Sequence, residues 1–180
     1  MRNYTEEEIL KGCLKNKRKY QELLYHRYSS HMYAVCLRYA KREEDAYDIL
    51  QDGFVKVFSH LKDFKGNGSF EGWIRRTIVN TAINYYRKNV KFQNNVGLEY
   101  ADYSGVATDD LLSQVNTREL QEMISELPDG YRLVFNLNAI EGYTHKEIGE
   151  MLNISENTSK SQLSRARVVL QSKFEKLYAI

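Results

Sequence analysis

Apolar residues recur along most of the chain at the three-to-four-residue spacing of a helix face, and no stretch sustains the alternation of a half-buried strand. The first helix is expected to begin at "TEEE", residues 5–8, where Thr5 as N-cap and Glu8 three residues inside the helix make a capping box. Ile9, Leu10, Cys13 and Leu14 then form one apolar face. A second helix is expected from Arg18 to Tyr39, with Tyr20, Leu24, Tyr28, Val35 and Tyr39 among its apolar positions. A third, "EDAYDILQDGFVKVFSHL", should bury Leu50, Phe54, Val57 and Leu61. The glycine-bearing loop "KDFKGNGS" ends at Ser69, which caps a fourth helix from Phe70 to Lys88. Its predicted buried face is Phe70, Ile74, Ile78, Ala82 and Tyr85.

Helical periodicity then fails across "NNVGLEYADYSGVATDD", which reads as a linker. Helices should resume near Leu111, and after "LPDG" one helix places Leu133, Leu137 and Ile140 on one face. A second capping box, Thr144 with Glu147, opens a short helix that turns Ile148, Met151 and Leu152 inward. Asn153 permits a tight turn, Ile154 plugs it, and Ser155 caps the last helix, which is helix-turn-helix spacing. The pattern therefore predicts an all-α chain of two small helical domains, residues 1–92 and 113–180, joined by a flexible acidic linker over 93–112. The C-terminal domain is the helix-turn-helix.

At 180 residues, 28% charged and 42% apolar, the chain can bury its own core without staples. The net charge of +2 is small, but its distribution is not even. Residues 1–95 are net +7, residues 96–117 carry four acids and no base, and residues 118–180 are net −1. A basic half of this kind hints at a nucleic-acid partner. Cys13 and Cys36 have neither disulfide-framework nor zinc spacing, and the four histidines form no cluster, so neither metal nor cofactor is expected. The start "MRNYTEEE" lacks the basic-then-apolar run of a signal peptide, and no apolar run approaches membrane-spanning length. A cytoplasmic chain without membrane insertion is expected.

The last helix carries the clearest chemical signal. Between Glu156 and Glu175 its only charges are Lys160, Arg165, Arg167 and Lys173. Ser159, Leu163, Ala166 and Leu170 make the buried stripe, and the opposite face holds Asn157, Thr158, Ser161, Ser164 and Arg165. Lys160 and Arg167 lie nearer the buried edge, where long stems reach phosphates. A carboxylate there would meet the charge of a DNA backbone, so its absence has a physical reason. On the fourth helix the face opposite the core reads Trp73, Arg76, Asn80, Asn84 and Arg87. Amides bond base edges, guanidiniums hold phosphates and aromatics stack on unpaired bases. The nearby loop adds Lys62, Phe64 and Lys65. The third helix has the reverse charge: Asp45, Asp48 and Asp52 fall opposite Leu50 and Phe54, where they repel one another unless a basic surface covers them. A solvated face is the ordinary alternative for each stripe.

Taken in order, these segments resemble the small, two-domain sigma factors of the sigma-70 family, in its extracytoplasmic-function group. "DILQDGFVKVF" is similar to their core-polymerase-binding helix and "FEGWIRRTIVNTAINYYRK" to their minus-10 helix. "LPDGYRLVFNLNAIEGYTHKEIGEMLNIS" with "TSKSQLSRAR" is similar to their minus-35 reader. Ser159 and Gln162 depart from the resemblance, standing where the family more often has an apolar residue and a base. The resemblance implies a transcription initiation factor, not an enzyme. It would bind core RNA polymerase through Asp45, Asp48, Gln51 and Asp52, and direct it to promoter DNA. It would hold the melted minus-10 strand through Lys62, Lys65, Trp73, Arg76, Asn80, Asn84 and Arg87. It would read the minus-35 duplex with Ser155, Asn157, Thr158, Lys160, Ser161, Ser164, Arg165 and Arg167. An anti-sigma factor is a further partner class, and the free chain is expected to be monomeric. The alternatives are a helix-turn-helix regulator that does not join polymerase, a serine recombinase and a helical interaction protein. The first needs a sensor or dimerisation domain and the second an α/β catalytic domain, and the chain shows no pattern for either.

Overall fold

The computed structural model describes residues 4–89 and 117–178, and every regular element among them is helical. The chain divides into two compact units, before and after the Asn89–Val90 bond. The expected linker at 93–112 and the expected helix start near Leu111 lie outside the described residues.

In the first unit, α1 (Glu6–Leu14) opens with the predicted capping box. Thr5 Oγ1 accepts from the Glu8 amide at 3.2 Å, and the Glu8 carboxylate accepts from the Thr5 amide at 2.9 Å. Ile9 and Cys13 are buried, but Leu14 is exposed because the helix ends there and turns at Asn16, whose φ is 52°. Helix α2 (Arg18–Tyr39) buries Leu24, Tyr28, Met32, Val35, Cys36 and Tyr39. It packs against α1, α3 (Glu43–Ser59) and α4 (Phe70–Asn89). Helix α3 ends two residues before Leu61, which is buried within a 3-10 turn, Leu61–Asp63. Helices α3 and α4 approach closely at Gly53, where a Cβ would stand 2.3 Å from Ile78 Cδ1. Ile74 and Ile78 are fully buried in this unit, each worth roughly 1.5–3 kcal/mol of transfer energy. The buried face of α4 is broader than its periodicity suggested, taking in Val79, Ile83 and Tyr86. Tyr85, expected in the core, is half-buried and sends its hydroxyl to Asp45 at 2.9 Å.

The second unit comprises α5 (Thr117–Ser125), α6 (Asp129–Phe135), α7 (His145–Leu152) and α8 (Glu156–Tyr178). The buried guanidinium of Arg132 ties the start of α6 to the end of α5: it meets Asp129 at 3.2 Å, and its other terminal nitrogen donates to the Ser125 carbonyl at 3.3 Å. Helix α6 runs straight into a π turn, Asn136–Ile140, closed by the Glu141 amide on the Asn136 carbonyl at 3.0 Å. The wider turn rotates the face, so Leu133 and Leu137 are buried while Ile140 is only half-buried. The α7 capping box forms as predicted, with Thr144 Oγ1 accepting from the Glu147 amide at 3.3 Å and the Glu147 carboxylate from the Thr144 amide at 2.8 Å. Ser159, Leu163, Ala166 and Leu170 of α8 are all buried, as their spacing required.

The turn between α7 and α8 depends on two residues. Asn153 adopts φ 57° and ψ 47°, a left-handed conformation that asparagine tolerates. Gly149 lies against the far side of the turn, and a Cβ there would sit 2.8 Å from the Ile154 carbonyl oxygen. That oxygen is backbone and cannot swing aside. We therefore expect Gly149→Ala to destabilise this unit by ~1–3 kcal/mol, measured by thermal or urea unfolding, and to weaken duplex binding with it.

Candidate nucleic-acid and polymerase interfaces

The open face of α8 is built from its cap outward. Ser155 Oγ accepts from the Thr158 amide at 2.9 Å and lies 2.8 Å from the Thr158 hydroxyl, so both hydroxyls serve the helix start. Asn157, Ser161 and Ser164 are exposed, while Thr158 and Arg165 are half-buried. These two share a flank with Gln162, which lies against Gly130 so closely that a Cβ there would be 3.2 Å from Gln162 Nε2. Helix α8 is thus rolled slightly from the orientation its periodicity suggested. Lys160 and Arg167, placed by periodicity nearer the buried edge, are both exposed. Lys160 pairs with Glu156 at 2.7 Å and holds that carboxyl below its ordinary range. A polar rivet joins the two helices of the motif: His145 Nδ1 and Ser159 Oγ are 2.9 Å apart, with Ser159 fully buried. The spacing of α8 predicts Ser159 inside but reveals no partner for it.

On α4, Arg76, Asn80, Asn84 and Arg87 are all exposed. Glu71 is the only acid on the helix. Trp73, predicted on the same outward stripe, is half-buried because Phe70 stacks on it at 5.8 Å and Phe64 closes in at 5.7 Å. That aromatic cluster ties down the preceding loop, and Ser69 Oγ caps the helix by accepting from the Gly72 amide at 3.1 Å. Gly66 and Gly68, at φ 76° and 88°, let the loop turn, and Lys62 and Lys65 stand exposed upon it.

Helix α3 exposes Asp48, Gln51 and Asp52 together with Val55, which is 63% exposed. Tyr47, also exposed, stacks on Tyr33 of α2 at 4.5 Å. Asp45 does not join this face. Only 14% of its side chain is exposed, it pairs with Arg42 at 3.0 Å, and it accepts from Tyr85 on α4. Its position on α3 sets it on the flank that packs against α4. Among the described residues no group of His, Cys, Asp or Glu could hold a metal ion. Burial pushes the Cys13 thiol up to about 11 and the Cys36 thiol to about 12, which leaves both unreactive.

The profile of sigma-70 region 2 matches residues 24–92, and that of sigma-70 region 4 matches residues 117–170. The extracytoplasmic-function sigma factor SigW of Bacillus subtilis is 31% identical over 83% of this chain and 86% of its own length. The chain belongs to the sigma-70 family, in its extracytoplasmic-function group. The sigma-E factor of Haemophilus influenzae is 26% identical over 96% of this chain and 97% of its own. The solved structure of the sigma factor RpoE with the anti-sigma factor NepR, from Bartonella quintana, shares the fold. Its TM-score is 0.52 at 18% identity, covering 86% of this chain and 96% of that one. As a sigma factor the protein is an RNA-polymerase-binding promoter-specificity factor and not an enzyme, and the polymerase-independent regulator is set aside. None of its described helices is long and apolar enough to cross a membrane.

In this sigma factor the two-sided pairing of Asp45 has a consequence for stability. The Arg42 guanidinium, with help from the Tyr85 hydroxyl, holds the Asp45 carboxyl below its usual 3.8. A depressed folded-state pKa contributes stability that is present above the unfolded value and lost as pH falls through the folded one. Asp45→Asn is therefore expected to cost about 1 kcal/mol near neutral pH. It should also flatten the loss of stability below about pH 4, read by unfolding at a series of pH values.

Proposed function

We propose that the three exposed faces divide the work of promoter recognition among three helices of this sigma factor. The α3 face of Asp48, Gln51 and Asp52 meets core RNA polymerase. The α4 stripe and the loop bearing Lys62 and Lys65 hold the melted minus-10 strand. The open face of α8 reads minus-35 duplex. The domains assigned to these tasks are residues 1–92 and 113–180, with 93–112 as linker. One observation carries the reading: α4 and α8 each bury one side and leave open, beyond the first turn, a face of amides, hydroxyls and cations, while α3 exposes Asp48 and Asp52.

The chemistry follows from that division. On α4, Arg76 and Arg87 bracket Asn80 and Asn84, so phosphate contacts lie at the ends and base-edge contacts between them. Opening a base pair costs a few kcal/mol, and a surface that binds the displaced bases offsets it. On α8, Asn157, Ser161 and Ser164 reach base edges or phosphates, with Lys160 and Arg167 at the margin. The half-buried Arg165 has a fixed approach and so suits a single contact. Trp73, packed under Phe64 and Phe70, shapes the minus-10 surface from beneath and offers only its outer edge to a base. Asp45 acts on the polymerase face by positioning α3 against α4. A cytoplasmic site of action follows from the partner. An anti-sigma factor, the partner named for the Bartonella quintana relative, fits a chain with three exposed functional faces.

Co-elution of the purified chain with core polymerase tests the reading at its base. Asp48→Arg and Asp52→Arg should each weaken that association by about tenfold, or ~1.4 kcal/mol, by charge reversal on an exposed face. The unfolding temperature should stay put. Undiminished co-elution of both variants would return the acidic stripe to solvent.

A further inference from the structure

Lys56 lies on α3, yet its ammonium does not share the acidic face. Its Nζ donates to Thr81 Oγ1 on α4 at 3.2 Å. Thr81 is buried and gives its own proton to the Thr77 carbonyl at 2.8 Å, so its oxygen serves Lys56 as acceptor. Asp52 stands four residues earlier, the spacing that favours a helical ion pair. Even so, among the described residues neither Asp52 nor any other carboxylate pairs with Lys56. Lys56 is half-buried and the partner its ammonium is given is a neutral hydroxyl, so no carboxylate offsets its charge. Its location says which charge would complete it. Thr81 directly follows Asn80, and Asn84, three residues on, lies about 60° from Thr81 round the helix on the side of Asn80, at 3.6 residues per turn. The ammonium has three N–H donors, of which Thr81 takes one. The others border the amide stripe of α4.

We infer that Lys56 is a nucleic-acid residue: it contacts a backbone phosphate of the single strand lying along Asn80 and Asn84. The inference rests on the proposed reading of α4 and adds a cation contributed by the neighbouring helix. Thr81 holds the ammonium beside the α4 stripe, and the phosphate supplies the missing counter-charge.

Oligo(dT), which carries phosphates without a promoter sequence, is the probe. The full-length chain is titrated with it across a series of NaCl concentrations by fluorescence anisotropy. Lys56→Gln keeps a donor for Thr81 and removes the charge. It should flatten the slope of log K against log salt by about 0.7, the value for one phosphate on a single strand, while Lys56→Arg keeps the slope. Arg87→Ala reports on the α4 surface independently and should flatten it too. An unchanged slope for Lys56→Gln beside a flattened one for Arg87→Ala overturns the role of Lys56 alone. Unchanged slopes in both variants, or no binding by the unaltered chain, overturn the α4 reading as well. Loss of co-elution with core polymerase in Lys56→Gln would assign the residue to the protein interface and overturn its role on DNA.

Discussion

A helix that buries one side in a protein core and offers the other to a polyanion can carry no carboxylate on its open side. Under the proposed reading, that constraint applies to α4 and α8. Each has its one early acid in the first turn, Glu71 on α4 and Glu156 on α8, where the positive end of the helix favours it. Along the face beyond, the choice narrows to amides, hydroxyls and cations. On α3 the balance is reversed: Asp48 and Asp52 stand exposed on one face, where like charges repel unless a basic surface covers them. This difference in charge between the open sides of α3 and those of α4 and α8 is what the proposed division into a polymerase face and two DNA faces rests on.

The core imposes the second constraint. Gly53 lets α3 come against Ile78, and Gly149 lets α8 come against the end of α7. Close approach fixes which side of each helix stays open. Polar bonds across these seams, Tyr85 to Asp45, Lys56 to Thr81 and His145 to Ser159, then set the helices in register. Ser159 is instructive: it is a hydroxyl in a stripe otherwise made of Leu163, Ala166 and Leu170, and it is satisfied by a histidine fourteen positions earlier. The two side chains are a matched pair, which keeps a buried polar group hydrogen-bonded.

Much of this was legible in the sequence because it is written in local patterns. Both capping boxes, the span of α2 and the buried stripe of α8 follow from spacing and cap chemistry alone. What escaped depends on neighbours that no single helix reveals. Asp45 shares the acidic periodicity of α3 but falls on the flank that meets α4. Trp73 shares the outward stripe of α4, yet Phe64 arrives from the loop to cover it. Arg165 is drawn half inward by the roll of α8 against α6. The π turn at Asn136–Ile140 has no local signature, and it moved Ile140 toward solvent. Lys56 has the local pattern of any surface lysine, and its bond to Thr81 depends on α4.

The central claim is that α4 acts on unpaired bases while α8 acts on duplex, so the two can be separated in one complex. Permanganate reactivity of minus-10 thymines, on a promoter that the holoenzyme transcribes, tests this most directly. With Asn80→Ala and Asn84→Ala together, polymerase binding and minus-35 binding should persist while thymine reactivity falls to background. Undiminished reactivity in that double variant would contradict the account, because the amides at the centre of the α4 stripe would then have no part in holding the open strand.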